Sequence, residues 1–358
     1  MYRNVKNVPH YIFGKGSLAQ LGDVLSERRK TAGEGVVFFI DHFFRDRDLA
    51  ARLPREQGDR IFYVDVSAEP TTDYMDALTA QVREGTSSLP CCMVGLGGGA
   101  VMDACKAVAN LLTNPGPAEN YQGWDLVQIP PVYKIAVPTL SGTGAECSRT
   151  CVLSNVKKGI KLGMNSDYSV FDQVIMDPEL TRSVPRDQFF YTGMDTYMHC
   201  FETLTGTYRN RIVDALAEKA VAMCEDIFLA DDMMSEVNLE KMMIASYLGG
   251  MAAGFVGVVH PFSAGLSVAL HMRHGIANCY ALTVLEDIYP EQYAAFMRMV
   301  ERQKVNLPRG ICSNLRPEDY DALYNGAIVH EKPLSNRLGP DFKKILTKDY
   351  VIERYKRM

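Results

Sequence analysis

The stretch CCMVGLGGGAVMDACKAVANLL, residues 91–112, joins a short apolar run to three consecutive glycines and a helical pattern. The apolar run 91–97 predicts a strand buried on both faces of a parallel sheet. Glycines let the backbone approach a bound group closely, and the N–H groups at a helix start attract an anion such as a pyrophosphate. The turn lacks the G-x-G-x-x-G pattern, and glycine also serves tight packing. On these residues alone, a nucleotide site at Gly97, Gly98 and Gly99 and a plain packing turn remain equal alternatives.

Similar patterns on either side extend this unit into a domain. Apolar runs at 36–40, 61–66 and 134–139 predict three more strands, and helical stretches separate them. Such alternation over the first 150 residues predicts a doubly wound α/β domain. Asp41 follows the first of these strands, where a carboxylate either accepts hydrogen bonds from an adenosine ribose or caps the next helix. Residues 148–177 predict a short antiparallel insert.

The second half of the chain has a different character. From about residue 177 the strand patterns stop, and amphipathic or Ala/Met-rich stretches continue to the end. We therefore predict an α/β domain at 1–180 and an all-helical domain at 181–358.

Four of the seven histidines lie between residues 193 and 278. Asp195 and His199 stand four apart, so a helix would put both on one face. His260 and His274 then need only come from one further helix and the loop after it. One carboxylate and three imidazoles suit Fe(II) or Zn(II), although Asp and His at this spacing are also common as ordinary helix neighbours.

Composition narrows the class of protein. The net charge of −5 and the absence of a long Lys/Arg block argue against a nucleic-acid partner. Nine scattered cysteines without a C-x-x-C pair are typical of a reducing compartment. We find no signal-peptide pattern at the N-terminus and no apolar stretch long enough to span a membrane. These features lead us to expect a cytoplasmic enzyme.

Taken together, five motifs in order resemble the iron-containing (group III) alcohol dehydrogenase family, which has a dehydroquinate-synthase-like fold. The resemblance runs nearly end to end and implies a cleft between the domains, in which an alcohol exchanges a hydride with NAD(P). The motifs are IFGKGS at 12–17, GLGGGAVMDACKA at 95–107, PTLSGTGAE at 138–146, GMDTYMHCFE at 193–202 and HPFSAGLSVALHMRHGIAN at 260–278.

The resemblance also implies roles for individual residues. It implies Fe(II) as the working metal, with Zn(II) as a competitor, a small-molecule substrate and a homodimer. The implied metal ligands are Asp195, His199, His260 and His274. The implied cofactor residues are Gly97, Gly98, Gly99 and Asp103 at the pyrophosphate, Asp41 at the adenosine ribose, and Thr139, Ser141, Thr143 and Lys161 toward the nicotinamide half.

Three positions depart from the family pattern. Ala264 stands where many members carry a further histidine, four residues after the third ligand. Glu69 replaces the usual Asn before a proline of the first domain, and Leu140 replaces a Thr of the cofactor loop. The opening YRNVKNVPHYIFGKGS and the stretch FFIDHFF are similar to a subgroup that acts on 3-deoxy-D-manno-octulosonate (Kdo). Members of that subgroup oxidise the C8 alcohol so that a PLP-dependent aminotransferase can install an amine.

These departures lead to two hypotheses. Ala264 has no group that transfers a proton. His271 lies three residues before His274 and could face the cleft, so we expect it to carry the proton instead; the alternative is a structural histidine. Glu69 and Asp41 together would disfavour the 2′-phosphate of NADP if both lay near the adenosine.

Several alternatives stay open on the sequence. An acidic substrate needs a cation in the cleft, and the candidates are Arg149, Lys157, Lys158 and Arg273. An aldehyde reductase working in the opposite direction, a glycerol- or diol-type dehydrogenase, and a dehydroquinate-synthase-like lyase are the rival activities.

Overall fold

The structure, a computed structural model, describes residues 6–30, 35–86 and 88–358. Residues 2–5 of the opening motif lie outside these ranges. In the first half, strands alternate with helices as the apolar runs predict. The elements are β1 (His10–Phe13), α1 (Leu21–Arg29), β2 (Val36–Asp41), α2 (Asp48–Ala51), β3 (Arg60–Val64), α3 (Thr72–Arg83), β4 (Cys92–Gly97), α4 (Gly99–Thr113), β5 (Gly123–Trp124), β6 (Lys134–Pro138), β7 (Thr150–Asn155), β8 (Ile160–Asn165) and β9 (Gln173–Met176).

The main sheet has six parallel strands in the order β1-β9-β6-β4-β2-β3. Its central strands are buried on both faces, since β2 and β4 contain no exposed side chain. After β3 the chain crosses back to the other side of β2, so its direction of travel reverses between β2 and β4. Ligands of open α/β sheets bind outside the carboxyl ends of the strands at such a reversal. Asp41 and Gly97 end these two strands.

A small second sheet, in the order β5-β8-β7, lies beside the main one. Strands β7 and β8 pair antiparallel, with Val152 opposite Gly163. This hairpin is the antiparallel insert predicted for residues 148–177.

The second half is helical throughout. The predicted combination of a doubly wound α/β half and an all-helical half is confirmed. Strand β9 ends at Met176 and α5 begins at Arg186, so the predicted boundary at 180 falls in the connection between them. The helices are α5 (Arg186–Thr205), α6 (Arg211–Leu229), α7 (Glu236–Ala252), α8 (Val259–Leu270), α9 (His274–Leu282), α10 (Pro290–Gln303), α11 (Pro317–Ile328), α12 (Glu331–Leu338), α13 (Phe342–Ile345) and α14 (Lys348–Lys356).

The described helices include none with both the length and the apolar character needed to cross a membrane.

Close backbone contacts join the two halves behind the cleft. Gly144 has a φ of +63°, and a Cβ there would lie 2.2 Å from Cα of Gly250 on α7. Nearby, Thr196 on α5 donates a hydrogen bond to the carbonyl of Gly142 at 2.5 Å, and Ser246 on α7 accepts one from the Gly142 N–H at 2.9 Å. Only glycine permits an approach this close, so the loop after β6 is fixed directly against α7 and against α5, which carries Asp195 and His199.

Candidate metal centre and cofactor cleft

A cleft of about 970 Å³ runs between the sheet and the helices. Its volume lies within the range of small-molecule and cofactor sites. One end lies at the carboxyl ends of β2 and β4, and the other reaches α5, α8 and α9. We call these the sheet end and the metal end.

At the sheet end two glycines and an aspartate contribute to the wall. Gly98 and Gly99 line the cleft at the start of α4, and Asp41 lines it after β2. Asp41 also accepts a hydrogen bond from the Phe43 N–H at 2.9 Å. It therefore caps the following helical turn, as one alternative predicted, and lines the cleft as well. Gly97 lies just outside the cleft, and a Cβ there would lie 2.6 Å from Cγ2 of Val101. Glycine at 97 therefore serves strand–helix packing, whereas Gly98 and Gly99 face the cleft.

The remaining predicted cofactor residues divide in a similar way. Thr139, Thr143, Asp103 and Lys161 line the cleft, whereas Ser141 is buried outside it and its Oγ has no hydrogen-bond partner. Asp103 accepts a hydrogen bond from the Val152 N–H at 3.0 Å. Burial raises the pKa of Asp103 to about 6, against the opposing charge of Lys106. Asp103 thus ties α4 to the insert beside the predicted pyrophosphate position.

At the metal end, helix α5 holds Asp195 and His199 on one face, as their spacing predicts. Gly193 lets this helix pack closely, because a Cβ there would lie 2.3 Å from the Phe228 ring on α6. Asp195 is fully buried, and His199 Nε2 lies 3.6 Å from its Oδ1.

Two further helices bring His260 and His274 to the same oxygen. His260 Nε2 lies 3.2 Å and His274 Nε2 3.5 Å from Asp195 Oδ1. Ligand atoms of Asp195, His260 and His274 all lie within 4.8 Å of one another. The His199 ring stacks on His260 at 4.5 Å between centroids and completes the group from one side. In all three histidines Nε2 faces the Asp195 carboxylate.

Burial and the mutual contacts of the group set its protonation states. Burial lowers the pKa values of His199 and His274 to about 4, so both rings are neutral at neutral pH. Burial opposes ionisation of Asp195, yet His199 and the other rings outweigh it and hold the Asp195 pKa well below its usual value. Burial also lowers the pKa of His260, but hydrogen bonds to Asp195 and Glu202 raise it to about 9 overall.

Two enclosed atoms of the group, Asp195 Oδ2 and His199 Nδ1, have no hydrogen-bond partner. Such unpaired buried atoms are rare in folded proteins and call for an explanation. A carboxylate and neutral imidazoles that converge with unpaired atoms fit a divalent cation.

Side chains that the sequence analysis did not select hold the candidate ligands in place. Glu202 is fully buried; its Oε2 lies 2.5 Å from His260 Nδ1, and its Oε1 accepts from Tyr289 Oη at 3.0 Å and from a backbone N–H. Asn278 donates to Asp195 Oδ1 at 2.6 Å, and Ser263 Oγ lies 3.3 Å from His274 Nδ1. Their helical spacing was a usable signal, because Glu202 follows His199 by three residues and Asn278 follows His274 by four.

Glu69 does not lie where the cofactor hypothesis requires. Its Oε1 accepts a hydrogen bond from the His274 backbone N–H at 2.9 Å, and its Oε2 lies 3.0 Å from Lys161 Nζ. Glu69 is therefore at the metal end, and its charge is paired. The expectation that Glu69 joins Asp41 in repelling a 2′-phosphate was wrong, and only Asp41 remains for that role.

The structure does not bring His271 to the cleft. His271 ends α8 in a left-handed conformation, with φ 52° and ψ 30°, and its side chain is exposed away from the cleft lining. The left-handed turn redirects the chain before α9 begins, so the spacing of three residues from His274 does not put both side chains on one face. The proton-carrier hypothesis for His271 was therefore wrong in its geometry.

The four candidate cations have different fates. Arg149 pairs with Asp125 and Asp167, Lys157 with Asp73, and Lys158 with Glu119. Arg273 lines the cleft directly before His274. Within the described ranges, Arg273 has no ion-pair partner.

Comparison with known proteins places these features in a family. The family model "Iron-containing alcohol dehydrogenase" matches residues 9–178, and "Fe-containing alcohol dehydrogenase family, C-terminal" matches residues 189–316. The 1-propanol dehydrogenase PduQ of Salmonella typhimurium is 31% identical over 277 residues, which cover 76% of this chain and 70% of that protein.

Other relatives act on different small molecules. A sulfoacetaldehyde reductase from Bilophila wadsworthia is 34% identical over 226 residues, covering 61% of this chain but only 57% of that protein. The probable alcohol dehydrogenase EutG of Escherichia coli K12 is 28% identical over 345 residues, covering 92% and 82%.

Solved structures share the fold over the whole length. The sulfoacetaldehyde reductase from Bifidobacterium kashiwanohense in complex with NAD+ aligns with a TM-score of 0.82 at 24% identity, covering 99% of this chain and 98% of that one. The two family models between them cover most of the chain, in the order and position of the two structural halves. The chain therefore belongs to the iron-containing alcohol dehydrogenase family and is a metal-dependent oxidoreductase of alcohols and aldehydes.

Proposed function

We propose that this enzyme oxidises a primary alcohol of an anionic sugar, the C8 alcohol of Kdo, to the aldehyde with NAD as the hydride acceptor. One observation carries the proposal: three imidazole nitrogens face one buried carboxylate oxygen, in a cleft that continues to a glycine turn at the reversal of the sheet. The first feature suits a divalent metal, and the second suits a dinucleotide.

Asp195, His199, His260 and His274 would hold the metal, Fe(II) in the working enzyme and Zn(II) as a competitor. A bound divalent cation supplies Lewis acidity, which lowers the pKa of a coordinated alcohol and makes its hydride available to NAD. His199 and His274 are neutral, and His260 would give up its proton on binding the cation, so three imidazoles and one carboxylate would leave the net positive charge that this chemistry requires. Glu202 and Asn278 keep His260 and Asp195 in their orientations.

At the sheet end, the N–H groups at the start of α4 would meet the pyrophosphate and Asp41 the adenosine ribose. Thr139, Thr143 and Lys161 also line the cleft, and the nicotinamide half would lie beside them. Asp41 favours NAD over NADP because a carboxylate repels a 2′-phosphate.

Arg273 supports an anionic substrate. Arg273 and Lys332 both line the cleft without an ion-pair partner in the described part of the chain; Lys332 lies over the Trp124 ring, whereas Arg273 directly precedes a candidate metal ligand. A sulfonate-bearing substrate, as named for two of the relatives, would meet the same charge. Reduction of a short anionic aldehyde is therefore the second candidate function, with the same residues in the same roles.

The proposal extends to partners. An aldehyde product is a substrate for a PLP-dependent aminotransferase, so coupling to such an enzyme follows from the proposed reaction. We also propose a homodimer, which light scattering on the purified protein tests directly.

A substrate panel tests the function. The Fe(II)-loaded enzyme with NAD is supplied with Kdo, glycerol, propanediol and simple alcohols, and with NADH and sulfoacetaldehyde in the reverse direction. We expect Kdo to give the highest kcat/KM. A preference for sulfoacetaldehyde would select the second candidate, and a preference for neutral alcohols would contradict both.

Arg273→Met tests the charge separately. We expect it to raise KM for anionic substrates by about 10- to 100-fold, the cost of a lost hydrogen bond to a charged group, while neutral alcohols change little. Lys157→Met, at a paired surface lysine, is the matched control. An equal change for charged and neutral substrates would remove Arg273 from substrate binding.

A further inference from the structure

His330 is a cleft residue that the sequence motifs do not include. It lies between α11 and α12, directly before Glu331, and contributes to the lining of the cleft. Its Nε2 is enclosed by protein and has no hydrogen-bond partner. Since unpaired buried nitrogen destabilises a fold, its presence in a cleft wall needs a reason.

The packing around α8 locates His330 relative to the metal end. Helix α8 packs against both α11 and α12. The contact with α11 is close, because a Cβ on Gly326 would lie 3.0 Å from Cα of Gly265. The connection that holds His330 is therefore pressed against the helix that carries His260.

One face of α8 lines the cleft through His260 and Ala264. His260, Ala264 and Ser267 succeed one another at helical spacing on that face. Lys161 reaches the far end of the face, with Nζ 3.4 Å from Ser267 Oγ. Burial first, and then the positive charges of Lys161 and His260, lower the pKa of His330 to about 4. His330, His260 and Ala264 all line the same cleft.

We propose that His330 forms a subsite for a hydroxyl group of the substrate, in the cleft that His260 and Ala264 also line. The inference rests on the proposed alcohol oxidation and names which alcohols the site selects. The ring is neutral at neutral pH, so Nε2 either donates or accepts one hydrogen bond. A hydroxyl group matches both cases because it is itself donor and acceptor.

The selectivity follows from the unpaired nitrogen. A polyol that reaches Nε2 restores the missing hydrogen bond, whereas a simple alcohol leaves it unmade. The ring is half-buried and lines the cleft, so the proposal requires a change of its rotamer that presents Nε2 to the ligand. The enzyme should therefore prefer glycerol or propane-1,2-diol to propan-1-ol, beyond any effect of size.

The test compares His330→Leu and His330→Gln with the wild-type holoenzyme on propan-1-ol, propane-1,2-diol and glycerol. We expect His330→Leu to lower kcat/KM for the two polyols by about 10- to 100-fold, with propan-1-ol within a few-fold. His330→Gln, which keeps a donor and an acceptor, should recover part of the loss. His271→Leu, at an exposed histidine outside the cleft, is the matched control and should leave all three substrates unchanged.

Stability distinguishes this role from a structural one. Removing an unpaired buried nitrogen should leave the thermal midpoint of His330→Leu equal to or above that of the wild type. An equal loss on all three alcohols, no loss on any, or a lowered midpoint would overturn the subsite.

The proposed alcohol oxidation is contradicted by a different result, namely that the wild type reduces no NAD with any alcohol. Calorimetric titration of the metal-loaded proteins with glycerol then still tests the subsite. Weaker binding to His330→Leu than to the wild type supports the subsite, and equal binding overturns it.

Discussion

The sheet end and the metal end of the cleft are built by different means. At the sheet end, Gly98 and Gly99 expose backbone where a strand becomes a helix, and the residues involved are neighbours in sequence. At the metal end, buried polar side chains from three helices converge, and Asp195 lies 65 residues from His260. The first end depends on the absence of side chains, and the second on their mutual orientation. The two ends should therefore respond separately to mutation.

Asp195→Asn should have the largest effect and should be confined to the metal end. The amide keeps the shape and can still accept from Asn278, but it removes the only carboxylate among the four candidate ligands. Loss of a direct ligand should exceed the roughly 10- to 100-fold cost in metal affinity typical of outer partners. Elemental analysis after dialysis measures the metal, and NAD titration measures the other end.

His271→Ala serves as control, because this exposed histidine should change neither metal content nor turnover. Full metal content with normal kcat in Asp195→Asn would contradict the assigned ligand set.

The contrast between the ends also explains what the sequence could predict. The apolar runs at β2 and β4 and the glycines after β4 carry local signals, so the α/β half and the position of Gly98 and Gly99 follow from the chain itself. Asp195 and His199 share a helix face, which is again local.

Local sequence patterns cannot predict which residues from distant parts of the chain meet in the fold. Glu69 seemed to belong to the adenosine because it follows the first-half strands, yet the structure pairs it with His274, 205 residues away. His271 failed for a different reason, since a single left-handed residue changed the direction of its side chain. His330 carries no motif and reaches the cleft only because α11 packs on α8.

Glu202→Gln should have the next largest effect, again at the metal end. The buried carboxylate orients His260 through Nδ1 and raises the basicity of the ring. We expect metal affinity to fall by about 10- to 100-fold, with NAD affinity unchanged. Competition with a chelator measures the metal affinity without reference to turnover.

Tyr289→Phe removes one hydrogen bond to Glu202 and should give a smaller shift in the same direction. If Glu202→Gln bound metal as tightly as the wild type, the pairing with His260 would be structural only.

Gly98→Ala should affect the opposite end. The new Cβ would lie 3.3 Å from Cδ2 of Leu140, which must yield into the cleft by a few tenths of an ångström. We expect KM for NAD to rise by about tenfold or more, because a lost hydrogen bond to a charged group costs about 1.5–3 kcal/mol. Metal affinity should not change.

Gly22→Ala is the matched control, since a Cβ at that helical position meets only Pro54, at 3.5 Å. A fall in metal content for Gly98→Ala would show that the two ends are coupled.

Asp41→Ser should produce the smallest change and sharpens the description of the sheet end. Serine preserves the cap on the Phe43 N–H but removes the negative charge beside the predicted ribose position. At a partly exposed site, relief of one charge repulsion is worth roughly 1 kcal/mol, so NADP should gain about fivefold relative to NAD. The ratio of kcat/KM values for the two cofactors measures this gain. Asp46→Ser, at an exposed carboxylate of the same loop, should leave the ratio unchanged.

Because Glu69 is already paired with Lys161, Glu69→Gln should not alter the preference between NAD and NADP. A gain for NADP in this variant would show that Glu69 acts at the adenosine end.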